Sequence, residues 1–311
     1  MTESVAVRVW SKSLPSRLHP ERDEDLAWSA TNGRAHAVID GMGSARRQVA
    51  GQDIGGEHAA RLIGEVLNTR LQDLPAALAV PAARDLLTVT VQEASARIFH
   101  ELNGAGAIPA DQIPAGKTAE DVMVAAVMTA LVICEGGRRA VISQNGDTRC
   151  YLFSGGELLL LTEDQDAVQS DKDQGVIAEE QVGAIQEALD TFDGRDLGKL
   201  DRLARQYFLH RNLVFGQIGD DPAPPPPALT VIQLRPNDKL LLCSDGVYGN
   251  LTTAEIEDSL ALIEPAAALV DRADARSAER PLPDPADLTR PYNYRAHQDD
   301  TTAIVLKIEW S

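Results

Sequence analysis

The sequence predicts an α+β fold in which two packed antiparallel β-sheets are flanked by helices. Short apolar runs of strand length, bounded by turn residues, recur along the chain, and helical periodicity is confined to blocks between them. Strands also lie at both ends, which places the termini in the same sheets and the whole of residues 1–311 in one domain.

The elements follow in order. VAVRVW at residues 5–10 alternates apolar and polar positions, as a half-buried strand does. DLAWSA, a turn at Thr31-Asn32-Gly33 and RAHAVI then read as neighbouring strands, the second running into DGMG. Apolar residues at helical spacing mark a helix over 52–71, and a second over 82–102 begins behind Pro81. After the loop GAGAIPADQIPAG, the runs VMVAAVMTALVI, RRAVIS, RCYLF and ELLLLT predict a meander of antiparallel strands. Residues 163–215 are charged and turn-rich at first and helical afterwards, a helical insertion between strands. DDPAPPPPA forms an extended connector, because proline neither continues a helix nor donates to a ladder. LTVIQL and KLLLC are strands, a helix covers 253–262, SAERPLPDPADLTRPYNYRAHQ is irregular, and TTAIVLKIEW is the last strand.

Composition narrows the partners. The 47 acidic residues against 29 Lys plus Arg give a net charge of -18, which disfavours a nucleic-acid backbone or an anionic membrane and suits cations and basic protein segments. Cys134, Cys150 and Cys243 are far apart in apolar surroundings, as buried thiols of a reducing compartment are. No apolar run approaches the ~20 residues of a membrane helix and no leader pattern is present, so a cytoplasmic protein is expected.

Acidic residues recur where apolar runs begin or end: Asp23, Glu24 and Asp25 before LAW, Asp40 in AVIDGMG, Asp147 in QNGDTRCYLF, Asp245 in LLLCSDG, and Asp299 and Asp300 in HQDDTTAIVL. Any one of them alone reads as a turn. Gathered at strand ends, such carboxylates repel and resist desolvation unless cations lie between them. The donors are oxygens without a matching His or Cys cluster, which indicates Mg²⁺ or Mn²⁺ in place of Zn²⁺. Two such ions about 3.5–4 Å apart lower the pKa of a shared water and orient it toward a phosphoryl group. A glycine after Asp40 also lets a backbone carbonyl approach a metal. Structural Ca²⁺ binding, the alternative for an acidic chain, requires closely spaced ligands in one loop.

The order ED, DGMG, GDTR, LLLCSDG and DDTT resembles the metal-dependent PPM (PP2C-type) serine/threonine protein phosphatases over residues 5–308. The resemblance implies an αββα sandwich with a two-metal centre at one edge that hydrolyses phosphoserine or phosphothreonine in proteins by attack of a metal-bridging water. It implies metal binding by Glu24, Asp40, the Gly41 carbonyl, Asp245 and Asp299, a water held by Asp25, and a weak third ion at Asp147. The insertion, at about 166–215, resembles an enlarged flap of the family.

The chain departs from the family at four places. Pro20 stands where an arginine often grips the substrate phosphate, leaving Arg17 or Arg22 as substitutes. Met42 replaces a histidine found in some members, and Ala125-Ala126-Val127 a GTT-like segment. Gly249 replaces an acid of the third site, so Asp147 is its lone anchor unless Asn250 or an insertion carboxylate contributes. His36 and His297 flank the metal motifs and read as packed or solvated. A pseudophosphatase that binds partners without turnover is the alternative function.

Overall fold

The computed structural model describes residues 5–42, 46–49, 51–113, 115–279 and 293–310. It is built from twelve strands and eight α-helices among those residues. One five-stranded sheet has the order β1-β12-β11-β8-β9, where β1 is Val5–Leu14, β8 Arg149–Ser154, β9 Glu157–Leu160, β11 Lys239–Cys243 and β12 Thr301–Trp310. The other has the order β10-β7-β6-β3-β2, with β2 Asp25–Ser29, β3 Ala35–Met42, β6 Ala125–Cys134, β7 Arg139–Asn145 and β10 Ala228–Gln233. Every pairing is antiparallel.

The central strands read as continuous apolar runs because both of their faces are buried. Successive side chains of a strand point to opposite sides, and the core divides accordingly. Val38, Leu131, Ile133, Leu240, Leu242, Ile304 and Leu306 fill the space between the sheets. From the outer face of the second sheet, Ala37, Ile39, Met128 and Val132 pack with Ile63, Leu67 and Leu87 of α1 (Gly56–Leu71) and α2 (Val80–Arg97). Leu241, Cys243, Ala303 and Val305 pack outward onto α7 (Thr253–Leu260) and α8 (Pro265–Ser277). The result is the four-layer αββα sandwich. The termini do meet, since β1 and β12 pair from Val5 with Trp310 to Leu14 with Thr301.

Three features differ from the sequence reading. The predicted meander is two hairpins in different sheets, β6 with β7 and β8 with β9, and the chain crosses the sandwich at Gly146–Thr148. Residues 52–54 form a small hairpin, β4 (Arg47–Val49) with β5 (Gln52–Ile54), so the first helix starts only at Gly56. Within residues 263–276, given no element above, α8 begins at Pro265, which occupies its first position, where the missing N–H costs nothing.

Between β9 and β10 the chain forms α3 (Ala167–Asp173), α4 (Glu179–Thr191) and α5 (Arg202–Leu209), with small cores of their own around Tyr207 and Phe208. Asp166 and Asp201 cap α3 and α5 through backbone N–H groups of Gln169 and Ala204. A short helix, α6 (Asp245–Tyr248), follows β11 directly. Most of the irregular segment expected before the last strand, residues 280–292, lies outside the described residues.

Candidate active site

Antiparallel register brings the separated acids to one end of the sandwich. Asp25 opens β2 opposite Asp40 near the end of β3, and Asp40 in turn faces Val127 on β6. Asp147 sits in the crossing turn between β7 and β8, Asp245 follows the end of β11, and Asp299 precedes β12. A cleft of ≈ 550 Å³ opens there, lined by Glu24, Asp40, Gly41, Asp147, Asp245 and Asp299, and among its described lining residues there is no Lys or Arg. Asn212, Val214 and Gln217, from the segment leaving the insertion, line it as well.

Packing sets two backbone approaches. Gly41 N–H donates to the Glu24 carbonyl at 3.0 Å, and a Cβ on Gly41 would lie 2.3 Å from the Gly56 carbonyl oxygen and 2.6 Å from that of Glu24. Glycine is therefore required by the crossing of β3 with the start of α1. In SDG, a Cβ on Gly246 would meet the Asp300 carbonyl at 1.9 Å.

Burial raises the carboxyl of Asp40 well above the ordinary carboxylate range, and the charges of Asp25, Asp245, Asp299 and Asp147 push it further. Asp25 is raised for the same first reason, reinforced by Asp300 and Asp23 and opposed by the Ser244 hydroxyl, which donates to its Oδ2 at 2.6 Å. Asp147 is raised by burial and by Asp245 and Asp164, although the Tyr248 hydroxyl donates to its Oδ2 at 2.9 Å. Asp25 Oδ1 and Asp245 Oδ1 are buried and accept no hydrogen bond. Such unpaired anionic oxygens are costly, and a cation is the partner that relieves them.

His297, read from sequence as packed or solvated, belongs to this cluster. Its Nε2 lies 3.0 Å from Asp245 Oδ2 and 3.1 Å from Asp299 Oδ2. Burial alone lowers its pKa, but the two carboxylates prevail and raise it to about 10. For Asp299, burial raises the carboxyl and the His297 hydrogen bond and charge outweigh it, leaving a net lowering. The neighbouring Asp300 is a brace, accepting from Ser16 N–H at 2.5 Å and Glu24 N–H at 2.7 Å. His36 is packed as read, fully buried between the Ser29 hydroxyl and the Gly33 carbonyl.

Neither candidate arginine lines the cleft. Arg17 makes a bidentate pair with Asp274 on α8, and Arg22 binds Glu24 and Glu21. Arg46, which sequence reasoning missed, donates to Glu24 at 2.9 Å and is also tied to Asp53 and Glu57. Its signal was available only through the β4–β5 hairpin that presents it.

Asn250 is buried and its amide is committed, donating to the carbonyls of Gly246 and His297 and accepting from His297 N–H. A Cβ on Gly249 would lie 2.5 Å from the Asp245 carbonyl oxygen. The nearby carboxylates are held elsewhere. Buried Arg149 binds Asp164 through Nη2 at 2.6 Å and Asp190 of α4 at 3.0 Å, and its guanidinium stacks over Tyr248 at 3.9 Å.

Compared with known proteins, residues 16–284 match the family described as protein phosphatase 2C. No curated protein sequence matches. Among solved structures, the Mycobacterium tuberculosis serine/threonine phosphatase PstP/Ppp aligns with a TM-score of 0.65 at 21% identity, covering 97% of this chain and 99% of that one. A catalytic domain of PstP in complex with two manganese ions aligns at 0.64 and 20% identity, covering 98% and 100%. PppA, a regulatory component of T6SS in Pseudomonas aeruginosa, aligns at 0.65 and 20% identity, covering 99% and 100%. The described residues contain no helix long and apolar enough to cross a membrane.

Proposed function

The chain belongs to the protein phosphatase 2C family, and from that premise we propose how its own residues carry out metal-dependent hydrolysis of phosphoserine and phosphothreonine in proteins. The observation that carries the reading is Asp40, half-buried among four other carboxylates in a cleft whose described lining has no Lys or Arg.

The residues fit divalent ions. The donors are carboxylate and carbonyl oxygens, two of the carboxylate oxygens are orphaned, and Gly41, which has no side chain, lines the cleft with its backbone. Glu24, Asp40, the Gly41 carbonyl, Asp245 and Asp299 would hold two Mn²⁺ or Mg²⁺ ions, which when bound supply an activated water and neutralise charge on the phosphoryl oxygens. Asp40 is the central residue, since it interacts with every other acid of the set except Glu24. Asp25, fixed by Ser244, would accept a hydrogen bond from the attacking water and orient it. His297 holds Asp245 and Asp299 in place. Of the two arginines, Arg22 is the nearer to the cleft, since it pairs with the lining residue Glu24, whereas Arg17 is paired with Asp274 on α8. No nucleophilic side chain is needed, and no phosphoenzyme forms.

The third site is poorly furnished, because Gly249 offers no side chain and Asn250 is committed to backbone groups, which leaves Asp147, one oxygen of which accepts from Tyr248, as its lone carboxylate. Two ions are the working complement on this reading. The buried, unpaired Cys134, Cys150 and Cys243 support a reducing, cytoplasmic setting, and the family's reaction supports a signalling role. No observation favours the pseudophosphatase reading.

Hydrolysis of p-nitrophenyl phosphate with Mn²⁺ tests the proposal. The wild type should turn over, and Asp40→Asn and Asp245→Asn should lose at least about 100-fold in kcat, as loss of a main electrostatic group does. Activity equal to wild type in both variants would refute the assignment.

A further inference from the structure

We propose that a second cavity beside the cleft receives a lysine or arginine side chain of the phosphorylated protein and so sets substrate preference; this rests on the phosphatase reading above. The cavity, ≈ 320 Å³, is lined by Asn145, Asp166, Asp173, Phe215, Pro225 and Pro226 among others, with no basic residue among them.

The cavity and the cleft share a wall. At the end of β7, Asn145 lines the cavity, while Asp147 in the turn beyond lines the cleft. In the segment leaving the insertion, Phe215 and Gly216 line the cavity while Val214 and Gln217 line the cleft. Gln165 stitches the two segments together. Its side-chain oxygen accepts from Gly146 N–H at 2.7 Å, its N–H donates to the Gly146 carbonyl at 3.0 Å, and its carbonyl accepts from Phe215 N–H at 2.7 Å. A polypeptide whose phosphoresidue enters the cleft can therefore place a side chain a few residues away in the cavity, since an extended chain advances roughly 3.3 Å per residue.

The lining selects an amphipathic cation. Phe215 is 48% exposed, and Pro225 and Pro226 are exposed, so apolar surface is available to an aliphatic stem or a stacked guanidinium. Asp166 and Asp173 each have one oxygen occupied by a neutral donor of Gln169, and among the described residues neither forms an ion pair. Asn145, 3% exposed, contributes a carboxamide whose oxygen accepts no hydrogen bond. The net charge of -18 draws basic segments toward the surface as a whole, and this cavity gives one of their side chains a specific seat.

The test uses phosphothreonine peptides that differ only in one residue, alanine or arginine, placed in turn two to four positions on either side of the phosphothreonine. Binding is read by fluorescence anisotropy with Mn²⁺ on the Asp25→Asn variant, which lacks the group that orients the attacking water, and turnover with Mn²⁺ on the protein with Asp25 intact. One register should bind about tenfold more tightly with arginine, as a desolvated charge-assisted contact does, with the gain in KM and little change in kcat. The Asp166→Asn/Asp173→Asn variant keeps a side chain able to cap α3, so it should fold, retain p-nitrophenyl phosphate hydrolysis and lose the arginine preference. Equal binding of all peptides, or a preference that survives in the variant, overturns the inference. An arginine preference in binding without p-nitrophenyl phosphate turnover would instead sustain the cavity and refute the activity.

Discussion

The crossing of Gly41 with Gly56 makes a quantitative demand on Gly41→Ala. The new methyl would lie 2.3 Å from the Gly56 carbonyl oxygen, 2.5 Å from its carbon and 2.6 Å from the Glu24 carbonyl oxygen, all backbone atoms. Ordinary contacts begin about 1 Å further out, so β3 and the first turn of α1 must separate. Overpacking costs about 1–3 kcal/mol where side chains yield, and with backbone on both sides the upper value, about 3 kcal/mol, applies. At about 2–4 °C per kcal/mol, the scale for domains somewhat smaller than this one, the melting temperature falls by roughly 6–12 °C. Scanning fluorimetry with EDTA measures this, and calorimetric Mn²⁺ titration should show weaker binding, because the displaced backbone carries the Gly41 carbonyl and Asp40. Gly183→Ala, at a helical position with nothing within 4 Å, is the control and should leave stability unchanged or raised. A Gly41→Ala protein that melts within about 2 °C of wild type and binds Mn²⁺ equally would refute the steric argument.

Asp40→Asn should stabilise the metal-free protein at pH 7.5. A carboxyl whose folded pKa is raised opposes folding above its unfolded pKa, increasingly as pH rises, and the amide removes that opposition. For the buried base His36, with a folded pKa lowered to about 4 from 6.5, the unfolded chain takes up the proton first as pH falls. Stability should therefore drop by about 2 kcal/mol between pH 7 and pH 5, and His36→Gln should lose that part of the pH dependence in urea unfolding. Gly249→Asp should not raise the number of bound Mn²⁺ ions, either alone or with Tyr248→Phe, because its Cβ meets the Asp245 carbonyl; an added ion in calorimetric titration would contradict the local geometry.

Much of the site was legible because its grammar is local. An apolar run ending in Asp-Gly marks a strand delivering a carboxylate to its edge, as for Asp40 and Asp245, and antiparallel pairing then fixes which edges coincide. Sheet allocation was not legible, because Gly146–Thr148 has the length of a hairpin turn yet carries the chain from one sheet to the other. Arg17 shows how one missed element misplaces a side chain. Its partner Asp274 lies on α8, where apolar residues Ala266, Leu269, Val270 and Ala273 already stand at helical spacing. His297 was undervalued for a related reason: its role depends on Asp245, 52 residues away in sequence.

Isothermal titration of metal-free protein with Mn²⁺ tests the central claim most directly. The account predicts two ions per wild-type chain and a loss of this binding in Asp40→Asn, with wild-type stability rising by about 2.7 kcal/mol when one site is filled at a hundredfold excess over its Kd. Absence of binding in the wild type, or an unchanged isotherm in Asp40→Asn, would contradict it.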